Sequence, residues 1–435
     1  MKNLDKNIKI GFVSLGCPKN QIDTEVMLHE LMMAGYEITG EDIEADIIII
    51  NTCAFIESAK KEAINEILDV AWLKKNSNLK GIIVTGCLPE RYRDEVMAEL
   101  PEVDAVLGVG SIHDIVEAVE NVASKQKFTS FKSVSELVLG GDRALTTPEF
   151  SVYLKIAEGC DNRCSYCAIP SIRGSYRQRP FDDIVREAQT LADLGAKEII
   201  LVAQDTTNYD RLPELMREIT KTNIEWLRLL YCYPDKITDE LIAEMKTNPK
   251  IVKYIDMSIQ HISDKILKSM NRHGGSECIR GTVKRLRDAN ICIRTTAIVG
   301  FPGETEEDFE QLCEFIKEMR FDRFGAFTYS QEEGTIAAAF ADQIDEQTKQ
   351  DRYDTLMDLQ LQIATELNEA KIGTVQKVLC EGFDAVSEMF YGRSYADAPD
   401  IDGKIYFSGV AKQGEFCAVR ITEVLDYDLI GEVIT

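Results

Sequence analysis

Four consecutive isoleucines, Ile47 to Ile50, leave this chain few choices. A run that is apolar at every position has no polar face to turn to water, so it reads as a strand covered on both sides. Residues 8–15 and 81–85 read as further strands. Residues 21–34, 56–75 and 90–100 carry helical periodicity. Strands alternating with helices imply a parallel sheet with both faces covered, and this pattern predicts a first domain over residues 8–125. After a stretch of weaker periodicity, 125–147, the alternation resumes. Candidate strands at 153–157, 198–203, 226–230, 254–258, 293–299 and 323–329 predict a partial or complete barrel of parallel strands over 145–370, closed by one long helix at 343–372. From 373 to 435 the runs become short and β-rich, with Gly and Asp between them, as in a small antiparallel β-barrel. The fold class is therefore α/β with a terminal all-β module.

Lys plus Arg number 49 and Asp plus Glu 74, a net charge of −25. Such a surface discourages nucleic acid at long range, because phosphate contacts need Lys and Arg; a simple solvated acidic surface is the plainer reading. The last module is acidic too, with eleven carboxylates against five basic residues. No apolar run reaches the roughly 18–20 residues of a membrane span. Residues 1–9 are polar and lead straight into a strand, so no signal peptide is read and a cytoplasmic protein without membrane contact is expected. Twelve cysteines and four histidines are present. In a reducing compartment, clustered cysteines point to metal or redox chemistry rather than disulfides.

Two cysteine sets stand out. Cys160, Cys164 and Cys167 form C-x₃-C-x₂-C just after a predicted strand. A loop this short wraps three thiolates around one face of an iron–sulfur cluster and leaves one iron open; structural zinc, the alternative, wants a fourth ligand. Cys17, Cys53 and Cys87 are far apart in sequence, yet each follows the C-terminal end of a predicted parallel strand. Ligands of open α/β sheets gather at that edge, so the three could meet at a second cluster; three unrelated core cysteines are the alternative. The other six, Cys232, Cys278, Cys292, Cys313, Cys380 and Cys417, show no ligand spacing.

The loop Cys160-Asp-Asn-Arg-Cys-Ser-Tyr-Cys167 resembles the radical S-adenosylmethionine (SAM) signature, including Tyr166 before the last cysteine. The resemblance implies a [4Fe-4S] cluster whose open iron chelates SAM and whose electron cleaves it to a 5′-deoxyadenosyl radical. Ile298-Val-Gly-Phe-Pro-Gly-Glu304 is similar to the family's SAM-contacting strand end, which makes Gly300, Pro302 and Gly303 SAM-binding candidates; an ordinary strand-to-helix turn is the alternative. Gln204, at a strand's end, is another candidate, with Asp205 orienting a neighbour. Arg173, with Arg177 and Arg179, has the fork that suits a carboxylate of SAM or of the target, or is simply structural.

Two three-cysteine sites and a terminal barrel together resemble the radical SAM methylthiotransferases over almost the whole chain: an N-terminal cluster domain (8–125), a radical SAM barrel (145–370) and a TRAM-like barrel (373–435). This implies two [4Fe-4S] clusters, replacement of C–H by C–SCH₃, one SAM for the radical and a second as methyl donor. No side chain need act as acid or base, so no catalytic residue is assigned. Ser14-Leu-Gly-Cys-Pro-Lys-Asn20, Asp23-Thr-Glu25 and Val202-Ala-Gln-Asp-Thr-Thr207 are similar to the RimO type, which modifies an aspartate β-carbon in ribosomal protein S-twelve. Tyr329-Ser-Gln-Glu-Glu-Gly-Thr335 departs from the family's Tyr-Ser-Pro start at Gln331. The expected partners are S-twelve, free or in the small subunit, a flavodoxin-type electron donor and a sulfur source. The rivals are a tRNA adenosine methylthiotransferase, which an acidic barrel disfavours, and a non-catalytic iron–sulfur scaffold.

Overall fold

In the computed structural model, which describes residues 8–434, the isoleucine run lies in a strand with every residue buried, Ile47–Thr52. At about 2 kcal/mol per fully buried isoleucine, this one run contributes on the order of 8 kcal/mol of gross burial. It is β3 of a six-stranded sheet with β1 (Lys9–Ser14), β2 (Glu37–Thr39), β4 (Gly81–Gly86), β5 (Ala105–Leu107) and β6 (Phe128–Ser130). All pairings are parallel, in the order β2-β1-β3-β4-β5-β6. The three strands that precede the first cysteine set are thus neighbours. Their ends are level, with Ser14 opposite Asn51 and Thr52 opposite Gly86. The polar segment 1–7 lies outside the described residues.

Helices cover this sheet. Pro18–Ala34 begins with a proline, whose missing N–H costs nothing at that position, and ends at Gly35 in the left-handed region. The helix expected over 90–100 is two short ones, Cys87–Tyr92 and Asp94–Glu99, broken at Arg93 with φ 42°. Arg93 reaches back to Glu90 at 2.9 Å and lies over the Phe131 ring.

The chain divides into two units. The first runs to Thr146 and also takes in Ala157–Arg179 and Glu332–Thr335; the second holds Thr147–Ile156, Pro180–Gln331 and the chain from Ile336 on. The loop with Cys160, Cys164 and Cys167 therefore belongs with the N-terminal sheet. In that loop β8 (Ala157–Glu158) pairs antiparallel with β9 (Arg177–Gln178).

In the second unit β7 (Ser151–Lys155), β10 (Glu198–Val202), β11 (Trp226–Cys232), β12 (Ile251–Met257), β13 (Cys292–Val299) and β14 (Arg323–Thr328) form one parallel sheet in chain order. β7 and β14 are its two edges, so of the two expected forms the partial barrel is the one present. The long helix is Glu346–Glu369, capped by Asp345 accepting from the Thr348 amide at 3.0 Å. The terminal module is a closed barrel of β15 (Val375–Asp384), β16 (Met389–Arg393), β17 (Ile405–Ser408), β18 (Phe416–Leu425) and β19 (Asp428–Val433). Its pairings are antiparallel except β17 with β19. Val378, Cys380, Ile405, Phe407, Val419, Ile421 and Leu429 fill it. Among the described residues no helix is long and apolar enough to cross a membrane.

Candidate metal centres

Cys17, Cys53 and Cys87 follow β1, β3 and β4, three adjacent parallel strands. The chain makes room for them with two glycines in the left-handed region. A Cβ on Gly16 (φ 93°) would lie 2.7 Å from the Cys53 Cβ; one on Gly86 (φ 96°) would lie 2.3 Å from Asn51 Oδ1. Asn20 ties the strand ends together. Its amide donates to the Leu15 carbonyl at 3.0 Å and the Thr52 carbonyl at 2.8 Å. Asn51 donates in turn to the Asn20 carbonyl at 2.8 Å and to Thr24 Oγ1 at 2.9 Å. Thr52 Oγ1 donates to the Thr85 carbonyl at 2.6 Å. Further along, Glu332 accepts from Arg91 at 3.0 Å, and Arg91 also donates to the Ala54 carbonyl at 2.8 Å, beside Cys53.

The three thiols differ electrostatically. Burial, with the neighbouring Cys87 charge, pushes the Cys53 thiol up to about 12. Burial also raises Cys87. For Cys17 burial acts upward as well, but the Lys19 and Arg173 cations and the Asn20 and Lys19 amides outweigh it and bring the thiol below its ordinary value. Cys53 feels the charge of Cys87 and Cys17, Cys87 that of Cys17, and the Arg173 cation acts on all three.

The second set is built on a tight loop. Arg163, between its first two cysteines, has φ 48°. Asn162 Nδ2 donates to Cys160 Sγ at 3.4 Å and the Ile169 amide to Cys167 Sγ at 3.4 Å. The Cys160 amide donates to the Gly174 carbonyl at 3.1 Å. N–H groups aimed at sulfur stabilise the thiolate and tune a cluster's potential. No disulfide joins any of the twelve cysteines. Among the described residues, no three of His, Cys, Asp or Glu gather closely enough to hold a single metal ion. Both donor sets fit an iron–sulfur cluster in their chemistry: three soft thiols each, buried or half-buried, with polar N–H groups directed at sulfur.

Arg173, expected at a carboxylate of SAM or target, meets the protein's own. It donates to Asp23 at 2.6 Å, Glu158 at 3.3 Å, Asn20 Oδ1 and Cys87 Sγ at 3.5 Å. Arg177 donates to the Ser135 and Leu137 carbonyls. Arg179 is buried against Gly140, where a Cβ would lie 2.4 Å from its Nη2. Apart from Arg173 to Glu158, these contacts span more than thirty residues of sequence, and no periodicity announces them. Asn20 and Asp23 were visible only as part of a motif.

In the second unit Gln204 follows β10, half-buried. Asp205 accepts from Lys236 at 2.6 Å and Thr207 at 2.9 Å, an orienting role. Gly300 (φ 70°) follows β13, and a Cβ there would lie 2.3 Å from the Lys349 Cγ. The turn after it is organised by Glu304, which sequence reasoning gave no role. Its carboxylate accepts the Gly300 amide at 3.0 Å and pairs with Arg352 at 2.8 Å, with His261 Nε2 at 3.5 Å. Pro302 and Gly303 line an open pocket of about 720 Å³, with Lys265, Ser269 and Asp342.

Residues 154–316 match the radical SAM superfamily, 9–108 the uncharacterized protein family UPF0004 and 372–434 the TRAM domain. The ribosomal protein uS12 methylthiotransferase RimO of Acetivibrio thermocellus is 49% identical over 98% of this chain and 98% of its own length. The chain belongs to the RimO family. RimO proteins of a Thermoanaerobacter species and of Geobacter sulfurreducens are each 48% identical over at least 97% of both chains. The fold is also similar to the solved radical SAM methyltransferase TsrM of Kitasatospora setae, with a TM-score of 0.59 and 13% identity over 85% of this chain and 80% of that one. Like the RimO family, this protein is a radical SAM methylthiotransferase. The family matches support an iron–sulfur cluster and SAM as its cofactors.

Proposed function

We propose that this enzyme adds a methylthio group to the β-carbon of an aspartate in ribosomal protein uS12, spending one SAM on the radical and a second on the methyl group. The near-full-length identity to uS12 methylthiotransferases carries this reading. Bound cluster and SAM supply a 5′-deoxyadenosyl radical that removes the target hydrogen. Cys160, Cys164 and Cys167 hold that cluster, and Cys17, Cys53 and Cys87 hold a second. Gln204, Gly300, Pro302 and Gly303 are the SAM-side candidates. Arg173 leaves that set, because its fork is already engaged by Asp23, Asn20, Glu158 and Cys87. The three-part division at 8–125, 145–370 and 373–435 follows the sequence. A flavodoxin-type donor supplies electrons and an external source the sulfur, in the cytoplasm where ribosomes are assembled.

The test is mass spectrometry of uS12 from cells with and without this enzyme. A methylthio mass shift that disappears on deletion supports the reading. Unchanged uS12 alongside lost methylthio-adenosine in tRNA would replace it with the tRNA reading. Under dithionite, 5′-deoxyadenosine and S-adenosylhomocysteine should each appear once per product. Cys164→Ala should abolish the first; SAM left unconsumed by the intact enzyme would point to a scaffold.

A further inference from the structure

We propose that Arg173 is a positioning residue for sulfur transfer: its backbone is tied to the Cys160 loop, its side chain to the Cys17–Cys53–Cys87 site, and its charge is held fixed beside that site. The proposal rests on reading Cys17, Cys53 and Cys87 as ligands of the second cluster.

The backbone tie is local. Arg173 ends the short helix Ile169–Arg173, and the next residue's carbonyl accepts the Cys160 amide at 3.1 Å. Gly159 packs so closely there that a Cβ would fall 2.6 Å from the Gly174 oxygen. The side-chain tie is long-range. The guanidinium, 2% exposed, reaches Asp23 across 150 residues of sequence and Cys87 across 86. Asp23 sits on the helix that Cys17 begins, and Asn20, which clamps the ends of β1 and β3, accepts from the same guanidinium. One planar fork therefore touches the helix after the first thiol, the clamp of the strand ends, the third thiol and Glu158 of the radical SAM loop. A lysine ammonium is a single point and cannot span these acceptors.

A buried cation is costly unless its charge is answered. Asp23 and Glu158 answer it in the protein alone, and three thiolates around iron would add negative charge beside it. A fixed cation there favours the reduced, more negative cluster. Neutralising it should lower the cluster's potential, and neutralising Asp23 should raise it.

The experiment uses the full chain with Cys160→Ala, Cys164→Ala and Cys167→Ala, reconstituted anaerobically so that only the second cluster is loaded. In that background, Arg173→Gln should lower the midpoint potential and alter the reduced cluster's paramagnetic spectrum. Asp23→Asn should shift the potential the other way, and Arg173→Lys should leave it near the parent. In the enzyme with all six cysteines, Arg173→Lys should still cleave SAM to 5′-deoxyadenosine. Its methylthiolated product per deoxyadenosine should fall by about tenfold to a hundredfold, the cost of misplaced reacting groups. A potential that does not move in Arg173→Gln, or that moves the same way in Asp23→Asn, overturns the charge role. An unchanged product ratio in Arg173→Lys overturns the positioning role. A triple-alanine parent that binds no iron with Arg173 intact is a separate result, because it removes the second cluster itself.

Discussion

Gly16 and Gly86 sit where the strands hand over to the first cysteine site, and both carry a conformation that a side chain resists. Gly16→Ala should cost about 1–3 kcal/mol in backbone strain and push Cys53 out of place. The reconstituted variant should hold roughly four irons per chain instead of roughly eight, counted by colorimetric assay, if each site takes four. Gly281→Ala is the contrasting case. It lies in the helix Gly275–Asp288 with open space around it, so it should stabilise the protein by about 0.5–1 kcal/mol and leave iron content alone. A Gly16→Ala protein with full iron would mean that the loop tolerates the displacement. At this scale the sequence showed which thiols lie at strand ends, because a strand run followed at once by Cys is a local signal. It did not show what surrounds them. Arg173 looked like a ligand for something external because its partners Asp23 and Cys87 are brought to it only by the fold.

Among the elements, the end of β16 and the segment from there to β17 explain how the terminal barrel is fixed within its unit. Arg393 reaches Glu198, the first residue of β10, at 2.7 Å; Glu198 also holds Arg228 of β11 at 2.7 Å. Asp397 pairs with Arg323 at the start of β14, and Asp402 accepts from Tyr254 of β12 at 2.6 Å. The barrel is thereby bound to the first residues of β10 and β14 and to the middle of β12. Glu198→Gln takes the carboxylate from the buried Arg228 and leaves Arg393 with Glu381, and should cost about 3–5 kcal/mol by thermal unfolding. Lys377→Ala, which breaks the exposed pair with Glu225, should cost at most about 1 kcal/mol. Burial alone would raise the Glu198 carboxyl, but Arg393 and Arg228 hold it at about 2, against an ordinary 4.5. A carboxyl depressed on folding stabilises fully above its unfolded value and loses that contribution as pH falls toward its folded one. The gap between parent and Glu198→Gln should therefore be constant above pH 5 and shrink between about pH 4.5 and 2. None of this network was legible in advance, since Glu198 and Arg393 are 195 residues apart. The three-residue strands β2, β5 and β6 escaped notice for another reason: three residues are too few to show a period of two.

Over the whole molecule, the order of parallel sheet, second parallel sheet and barrel was readable because a stretch of weaker periodicity parts two runs of strand–helix alternation, and short β-rich runs replace that alternation after residue 373. The function was readable because the cysteine loop and its flanking motifs are local strings. What the fold adds is which charges face water. In the terminal barrel Glu381, Asp397, Asp402 and Arg393 are spent on buried or part-buried pairs, leaving eight acidic side chains against four basic ones to act at the surface. The chain as a whole carries −25. A basic ribosomal protein approaching this surface is drawn in by long-range attraction, which salt screens over about 8–10 Å at 0.1–0.15 M. The apparent association rate with purified uS12 should therefore fall steeply as salt is raised, with dissociation much less affected. Replacing Glu423, Asp426 and Glu432 of the barrel with neutral amides should weaken that salt dependence and slow association at low salt. SAM cleavage in the absence of uS12 should stay unchanged. Stopped-flow fluorescence across a salt series reads both effects. An association rate indifferent to salt would show that the acidic surface keeps the protein in solution and plays no part in drawing its substrate.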